Sequence, residues 1–152
     1  MIPIRGLFEA HLAVADLDRS IRFYRDTLGL PLAQTFPERK AAFFWAGAPG
    51  KSMLGLWESS AAPNTMQLHI AFGVTLDALF SAAAALIAKG IAPLDFDGRP
   101  ATEPQVLAWM PAASIYFRDP DGHLLEFICL LEGEQPAPDR GVVPYSVWRK
   151  SL

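Results

Sequence analysis

Residues 7–15, Leu-Phe-Glu-Ala-His-Leu-Ala-Val-Ala, alternate with a period of two, which predicts a strand with Glu9, His11 and Ala13 on one face and Phe8, Ala10, Leu12 and Val14 on the other. The period then changes. Leu17, Ile21, Tyr24 and Leu28 recur at helical spacing behind Asp16 or Asp18, either of which suits an N-cap, and Gly29 ends the run. Three extended stretches follow near 31–36, 41–46 and 52–58, divided by the turns Pro37-Glu38-Arg39-Lys40 and Ala48-Pro49-Gly50-Lys51.

The second half repeats this order. A strand is predicted over 67–74, then a helix capped by Thr75 with Leu76, Leu79, Phe80, Ala83 and Ile87 on its buried stripe and Gly90 at its end. Later strands fall near 92–96, 106–110 and 113–118 or 123–130, with Pro111 blurring their limits. Superposing the halves pairs His11 or Glu9 with His69, Gly29 with Gly90, and Leu54-Gly55-Leu56 with Leu125-Glu126-Phe127. A duplicated unit with one open sheet face cannot bury its core alone, so the copies are expected to pack together, within the chain or across a dimer, with a site in the space they share. Proline and glycine become dense after Leu131, which predicts a tail outside the repeat, with Tyr145, Val147 and Trp148 as apolar anchors.

One carboxyl group stands inside an otherwise apolar strand. Asp119-Pro120-Asp121-Gly122 has the chemistry of a tight turn, because proline presets one φ and glycine accepts a positive one, so its flanks read as a β-hairpin. On the outgoing strand Leu124, Glu126 and Ile128 share a face, and His123, Leu125 and Phe127 share the other. An unpaired charge among such neighbours costs several kcal/mol, so a cation, a hydrogen-bond donor or a metal is expected opposite Glu126. The alternative is a surface glutamate on an edge strand.

Composition narrows the classes. The 152 residues suit one domain or two small modules sharing a core. Apolar residues make up 51% and charged residues 19%, with a net charge of −3, which points away from disorder and from a nucleic-acid footprint and toward a small-molecule partner. Cys129, the single cysteine, excludes an internal disulfide and a cysteine-based zinc cluster, and it fits a reducing compartment. There is no apolar run of membrane-span length, no signal-peptide layout at the N-terminus and no glycine-rich nucleotide cradle, so a cytoplasmic protein without a membrane partner is expected.

Several ordered motifs carry a family resemblance: Val14-Ala15-Asp16-Leu17-Asp18-Arg19-Ser20, Phe23-Tyr24, Leu28-Gly29-Leu30, His69-Ile70-Ala71-Phe72, and Asp119-Pro120-Asp121-Gly122-His123 with Glu126. Together they resemble the vicinal oxygen chelate superfamily, which holds glyoxalase I, fosfomycin-resistance enzymes, extradiol dioxygenases and bleomycin-resistance proteins. The resemblance covers about residues 6–131. It implies an α+β fold of paired βαβββ modules, 6–60 and 66–131, forming an open, cup-shaped mixed sheet with helices outside; the tail at 132–152, by its apolar anchors, is expected to dock on the domain or a partner subunit.

Family enzymes bind one divalent metal through a residue in the first strand of each module and in the last strand of one or both. His69 and Glu126 match two of those places. The first-strand position, seven residues before Asp16, is Glu9 in place of histidine, and His11 lies two residues later on the same face. The fourth place maps to Gly55, which has no side chain to offer, and Glu58 faces away by alternation. The resemblance therefore implies His11, His69 and Glu126 as metal ligands, a set that suits iron, manganese, nickel or zinc and leaves positions open for a substrate that chelates through adjacent oxygens. Glu9 and Glu126 are the implied catalytic groups, with Glu9, if not itself the first-strand ligand in place of His11, either a general base or the group that orients His11.

Tyr116 and Arg118 share a strand face on which an anionic substrate would bind, although an arginine beside Asp119 also suits a structural pair. Trp45 and Trp109, with Phe44 and Trp57, either stack on a flat ligand or fill the core. Fold does not fix activity. The leading expectation is a metal-dependent lyase, isomerase or dioxygenase, working as a homodimer or a closed two-module monomer. Its rivals are a metal-free sequestering protein of the bleomycin-resistance type and a structural or regulatory module with a vestigial cup.

Overall fold

A computed structural model describes residues 7–59 and 66–150. The expected domain start at residue 6, the end of the first module at residue 60 and the last two tail residues lie outside the described residues. The chain falls into two compact units, Met1–Leu68 with Asp119–Gly122, and His69–Arg118 with His123–Leu152. Each is built on the expected βαβββ order, and the fold class is α+β with two open mixed sheets.

In the first unit, β1 (Glu9–Val14) leads through α1 (Leu17–Arg22) to β2 (Leu32–Phe36), β3 (Ala41–Trp45) and β4 (Met53–Glu58). The sheet order is β1-β4-β3-β2, with β1 parallel to β4 and the other pairs antiparallel. Asp16 caps α1 by accepting from the Arg19 N–H at 2.8 Å. Leu12, Val14, Ala42, Phe44, Leu54 and Leu56 are buried on one face, and α1 packs against β3 and β4. The helix does not run on as α to Gly29: Phe23–Thr27 form a π turn, closed by the Leu28 N–H on the Phe23 carbonyl at 3.0 Å. That turn holds Tyr24, fully buried, with its hydroxyl donating to Asp119 at 2.9 Å. Burial and then the nearby Asp119 push the phenol well above its usual range. Asp121 is gripped by the Ala15 N–H, the Arg19 guanidinium and the Ser20 hydroxyl at 3.0, 2.5 and 3.0 Å.

In the second unit, β5 (His69–Gly73) leads through α2 (Leu76–Ala88) to β6 (Gln105–Leu107), β7 (Ala112–Arg118) and β8 (Leu124–Leu130), and the tail adds β9 (Val142–Pro144) and α3 (Tyr145–Arg149). The order β5-β8-β7-β6-β9 repeats that of the first sheet, with β9 added along β6. Thr75 caps α2, and Leu79, Ala82, Ala83 and Leu86 form its buried stripe against β7 and β8. Phe80 and Ile87, expected in that stripe, are exposed, because the sheet selects the face one residue removed. Residues 92–96 do not form the expected strand; Leu94 makes isolated bridges to Pro100 and Tyr116 in a segment broken by prolines. Trp148 is buried, with the Arg140 guanidinium 4.3 Å from its ring centre, whereas Val147 is exposed. Among the described residues no helix is long and apolar enough to cross a membrane.

Candidate active site

Strand register builds one polar face in the second unit. His69, Leu124 and Arg118 stand in one row across β5, β8 and β7; Ala71, Glu126 and Tyr116 stand in the next; Gly73, Ile128 and Ser114 in the third. His69 Nε2 lies 3.0 Å from Glu126 Oε2 across the diagonal. Glu126 is only 4% exposed, on a strand with neighbours on both sides, and is not an edge-strand surface residue. The Ser114 hydroxyl donates to its Oε1, and the Tyr116 hydroxyl bonds to it as well. Burial, then the charge and hydrogen bond of Glu126, raises the Tyr116 phenol above its usual range, so it stays a donor.

His69 Nδ1 lies 3.1 Å from the Leu124 carbonyl oxygen, which can only accept, so Nδ1 carries a proton there; the 3.0 Å contact between Nε2 and Glu126 Oε2 requires a second proton, held by the imidazole or by the carboxyl group. Parallel pairing of His69 with Leu124 supplies that carbonyl. An outer hydrogen bond of this kind is the usual device for orienting a ligating or proton-transferring imidazole.

The first unit carries the same three rows with the chemistry exchanged. Glu9, Met53 and Trp45 form one row, His11, Gly55 and Phe43 the next, and Ala13, Trp57 and Ala41 the third. With Gly55 laid on Glu126, as the superposed halves place them, the register puts Glu9 in the place of His69. His11 Nε2 meets Glu9 Oε1 at 3.0 Å, with both side chains partly exposed.

The expected site residues divide accordingly. Tyr116 joins the His69–Glu126 pair, and Arg118 ends the same strand, exposed, in the row of His69. Trp45 lies in the row of Glu9. Trp109 is 59% exposed in the turn before β7, seven residues before Tyr116 in the chain. Phe44 is core, and its neighbour Phe43 takes the site face. Ser114 and Phe43 were missed by sequence reasoning, though two-residue spacing from Tyr116 and Trp45 is the signal that finds them. His123 is buried.

The donor set fits a divalent transition metal best in the second unit, where an imidazole oriented through Nδ1 and a carboxyl group meet. In the first, Glu9 occupies the His11 nitrogen and Gly55 offers no donor. Among the described residues no three histidine, cysteine, aspartate or glutamate side chains form a group that could hold a metal ion.

Comparison with known proteins follows the same line. Residues 6–127 match the family described as the Glyoxalase/Bleomycin resistance protein/Dioxygenase superfamily. A lactoylglutathione lyase of Haemophilus influenzae is 32% identical over 126 residues, covering 77% of this chain and 87% of that protein. Among solved structures, an integron cassette protein from the mobile metagenome of the Halifax Harbour sewage outfall is 32% identical with a TM-score of 0.68, covering 84% of this chain and 100% of that one. The oxidase ChaP-H2 is 25% identical with a TM-score of 0.65, covering 85% and 96%.

Proposed function

Because the chain belongs to the Glyoxalase/Bleomycin resistance protein/Dioxygenase superfamily, we propose that it is an enzyme acting on a small molecule through adjacent oxygens, with the His69–Glu126 pair at its centre. One observation carries this reading: the Leu124 carbonyl orients the His69 imidazole through Nδ1 and leaves Nε2 facing a buried carboxyl group. In this proposal His69 and Glu126 hold a divalent iron, manganese, nickel or zinc ion. When bound, the ion would act as a Lewis acid on the substrate oxygens.

The chain's own residues supply the rest. Ser114 and Tyr116 hold Glu126 by hydrogen bonds, so its orientation is set before substrate arrives. Glu9, within hydrogen-bond reach of His11 and partly open to solvent, is placed to take a proton or to orient that imidazole. Arg118, at the end of the His69 row, would receive an anionic group, and Trp45 would give apolar contact beside Glu9. The relatives include a lyase and an oxidase, and the reaction proposed is accordingly of the lyase, isomerase or dioxygenase type. A homodimer is the proposed working form, since β1 and β5, which carry site residues, each end their sheet as an edge strand. A reducing, cytoplasmic setting suits the free Cys129.

The test is elemental analysis of purified protein before and after incubation with each of the four metals, beside His69→Ala and Glu126→Ala with folding checked by circular dichroism. About one ion per chain in the parent, lost in both folded variants, is expected. Stoichiometric metal in both variants overturns the reading. No metal under any loading favours a second one, a metal-free ligand-sequestering protein, which the Glu9 contact on His11 and the bare Gly55 support. In that case chelator leaves ligand affinity unchanged.

A further inference from the structure

The tail builds a cavity on the second unit that the His69–Glu126 pair does not use. It holds about 360 Å³, at the lower end of the range for small-molecule sites, and every residue lining it belongs to the second unit. Half-buried Cys129 is one of them. On β8 it stands an odd number of residues from Glu126, so the cavity lies on the opposite sheet face from that carboxyl group.

Three elements fix its walls. Leu76 begins α2 on one side, and Leu130 and Leu131 stand at the end of β8 on another, where the Leu131 N–H bonds the Pro111 carbonyl at 2.8 Å. Residues 131–134 then form a tight turn, with the Glu134 N–H on the Leu131 carbonyl at 3.2 Å and Gly133 at a φ of 82°. The third wall is Tyr145 at the start of α3. Its neighbour Ser146 is tied twice to the Glu103 carboxylate, by its N–H and its hydroxyl, both at 3.0 Å. The Tyr145 ring meets the Phe80 ring edge-on, with 4.9 Å between centres. These bonds shape the cavity before any ligand arrives, which lowers the cost of binding.

The charges around it do not balance. Arg149 pairs with Glu134 at 3.6 Å, and both line the cavity. Glu132 lines it as well, and among the described residues its carboxylate has no ion pair or hydrogen bond. The start of α2 adds no unmatched positive charge, since the Thr75 side chain accepts from the Ala78 N–H and Asp77 stands in the first turn. One carboxylate is therefore left without a cation, beside leucine side chains and an aromatic ring. A positively charged occupant meets that charge, whereas a neutral or anionic one strips water from it without return.

We propose that this cavity binds a small organic cation, a protonated amine on an apolar body, with the ammonium on Glu132 and Tyr145 and the body against Leu76, Leu130 and Leu131. The site needs no metal and leaves His69 and Glu126 open.

The test uses the full chain with excess chelator and three probes on one frame: 2-phenylethylamine, 2-phenylethanol and 3-phenylpropionate, which carry a cation, no charge and an anion at neutral pH. Calorimetry reads affinity. Because Cys129 is the single cysteine and lines the cavity, the rate of its alkylation by iodoacetamide reports where the probe sits. The amine is expected to bind about fivefold more tightly than the alcohol, the size of one partly exposed ion pair, and the propionate most weakly. Saturating amine is expected to slow Cys129 alkylation severalfold. Glu132 is exposed, so Glu132→Gln keeps the fold, and it is expected to erase the preference for amine over alcohol, which high salt also narrows. Equal affinity for amine and alcohol, absence of amine binding, unchanged Cys129 alkylation at saturation, or a preference retained in Glu132→Gln overturns the proposal.

Discussion

Glu126 shows how much one buried carboxyl group demands of its neighbours. It takes bonds from Ser114 and Tyr116 and faces His69, all on one sheet face. Removing the Ser114 hydroxyl leaves Oε1 without that donor inside the protein, and an unmet buried acceptor costs about 1–3 kcal/mol. Ser114→Ala is therefore expected to lower unfolding free energy by about that amount in urea denaturation, and Ser114→Thr to recover most of it. Alternation alone put Glu126 among apolar residues and asked for a partner. Which partner answered depended on residues 57 and 12 positions away, and no local pattern encodes that diagonal.

Register decides what the repeat left open between elements. Superposed sequences allowed either Glu9 or His11 as the counterpart of His69, since both lie on one strand face; once Gly55 is laid on Glu126, pairing of β1 with β4 and of β5 with β8 puts Glu9 in the row that matches His69. The exposed Phe80 and Ile87 have the same origin, because an alanine-rich helix offers more than one apolar stripe and the sheet chooses. The tail was legible only as apolar anchors. In the structure β9 pairs along β6, the Tyr145 N–H bonds the Pro104 carbonyl at 2.9 Å, and Trp148 is buried behind them. Trp148→Ala is expected to cost about 3–5 kcal/mol, as large aromatic truncations in cores do. Hydrogen exchange should then show faster loss of amide protection in β6 and β9 than in β5.

Acid stability belongs to the scale of the whole molecule. Burial works most strongly against the charge on Asp121, yet the Ala15 N–H, Arg19 and Ser20 together hold its carboxyl below the usual range. A carboxyl group with a lowered folded pKa stabilises the fold above its unfolded value, about 3.9, and that contribution disappears as pH falls through the folded value. Unfolding free energy measured from pH 7 down to pH 2 is expected to drop below about pH 4, with a shallower drop in Asp121→Asn. By itself the sequence determined the α+β class, the duplicated βαβββ order, the Asp119–Gly122 turn and the short roll of polar residues able to do chemistry. Periodicity and turn chemistry are local, so they survive in a linear reading. Only tertiary structure decided the orientation of His69, the closing of rings over Gly55, the rejection of the 92–96 strand and the face α2 buries. Each depends on strand register and on atoms from distant segments, and those contacts exist only once the sheets have formed.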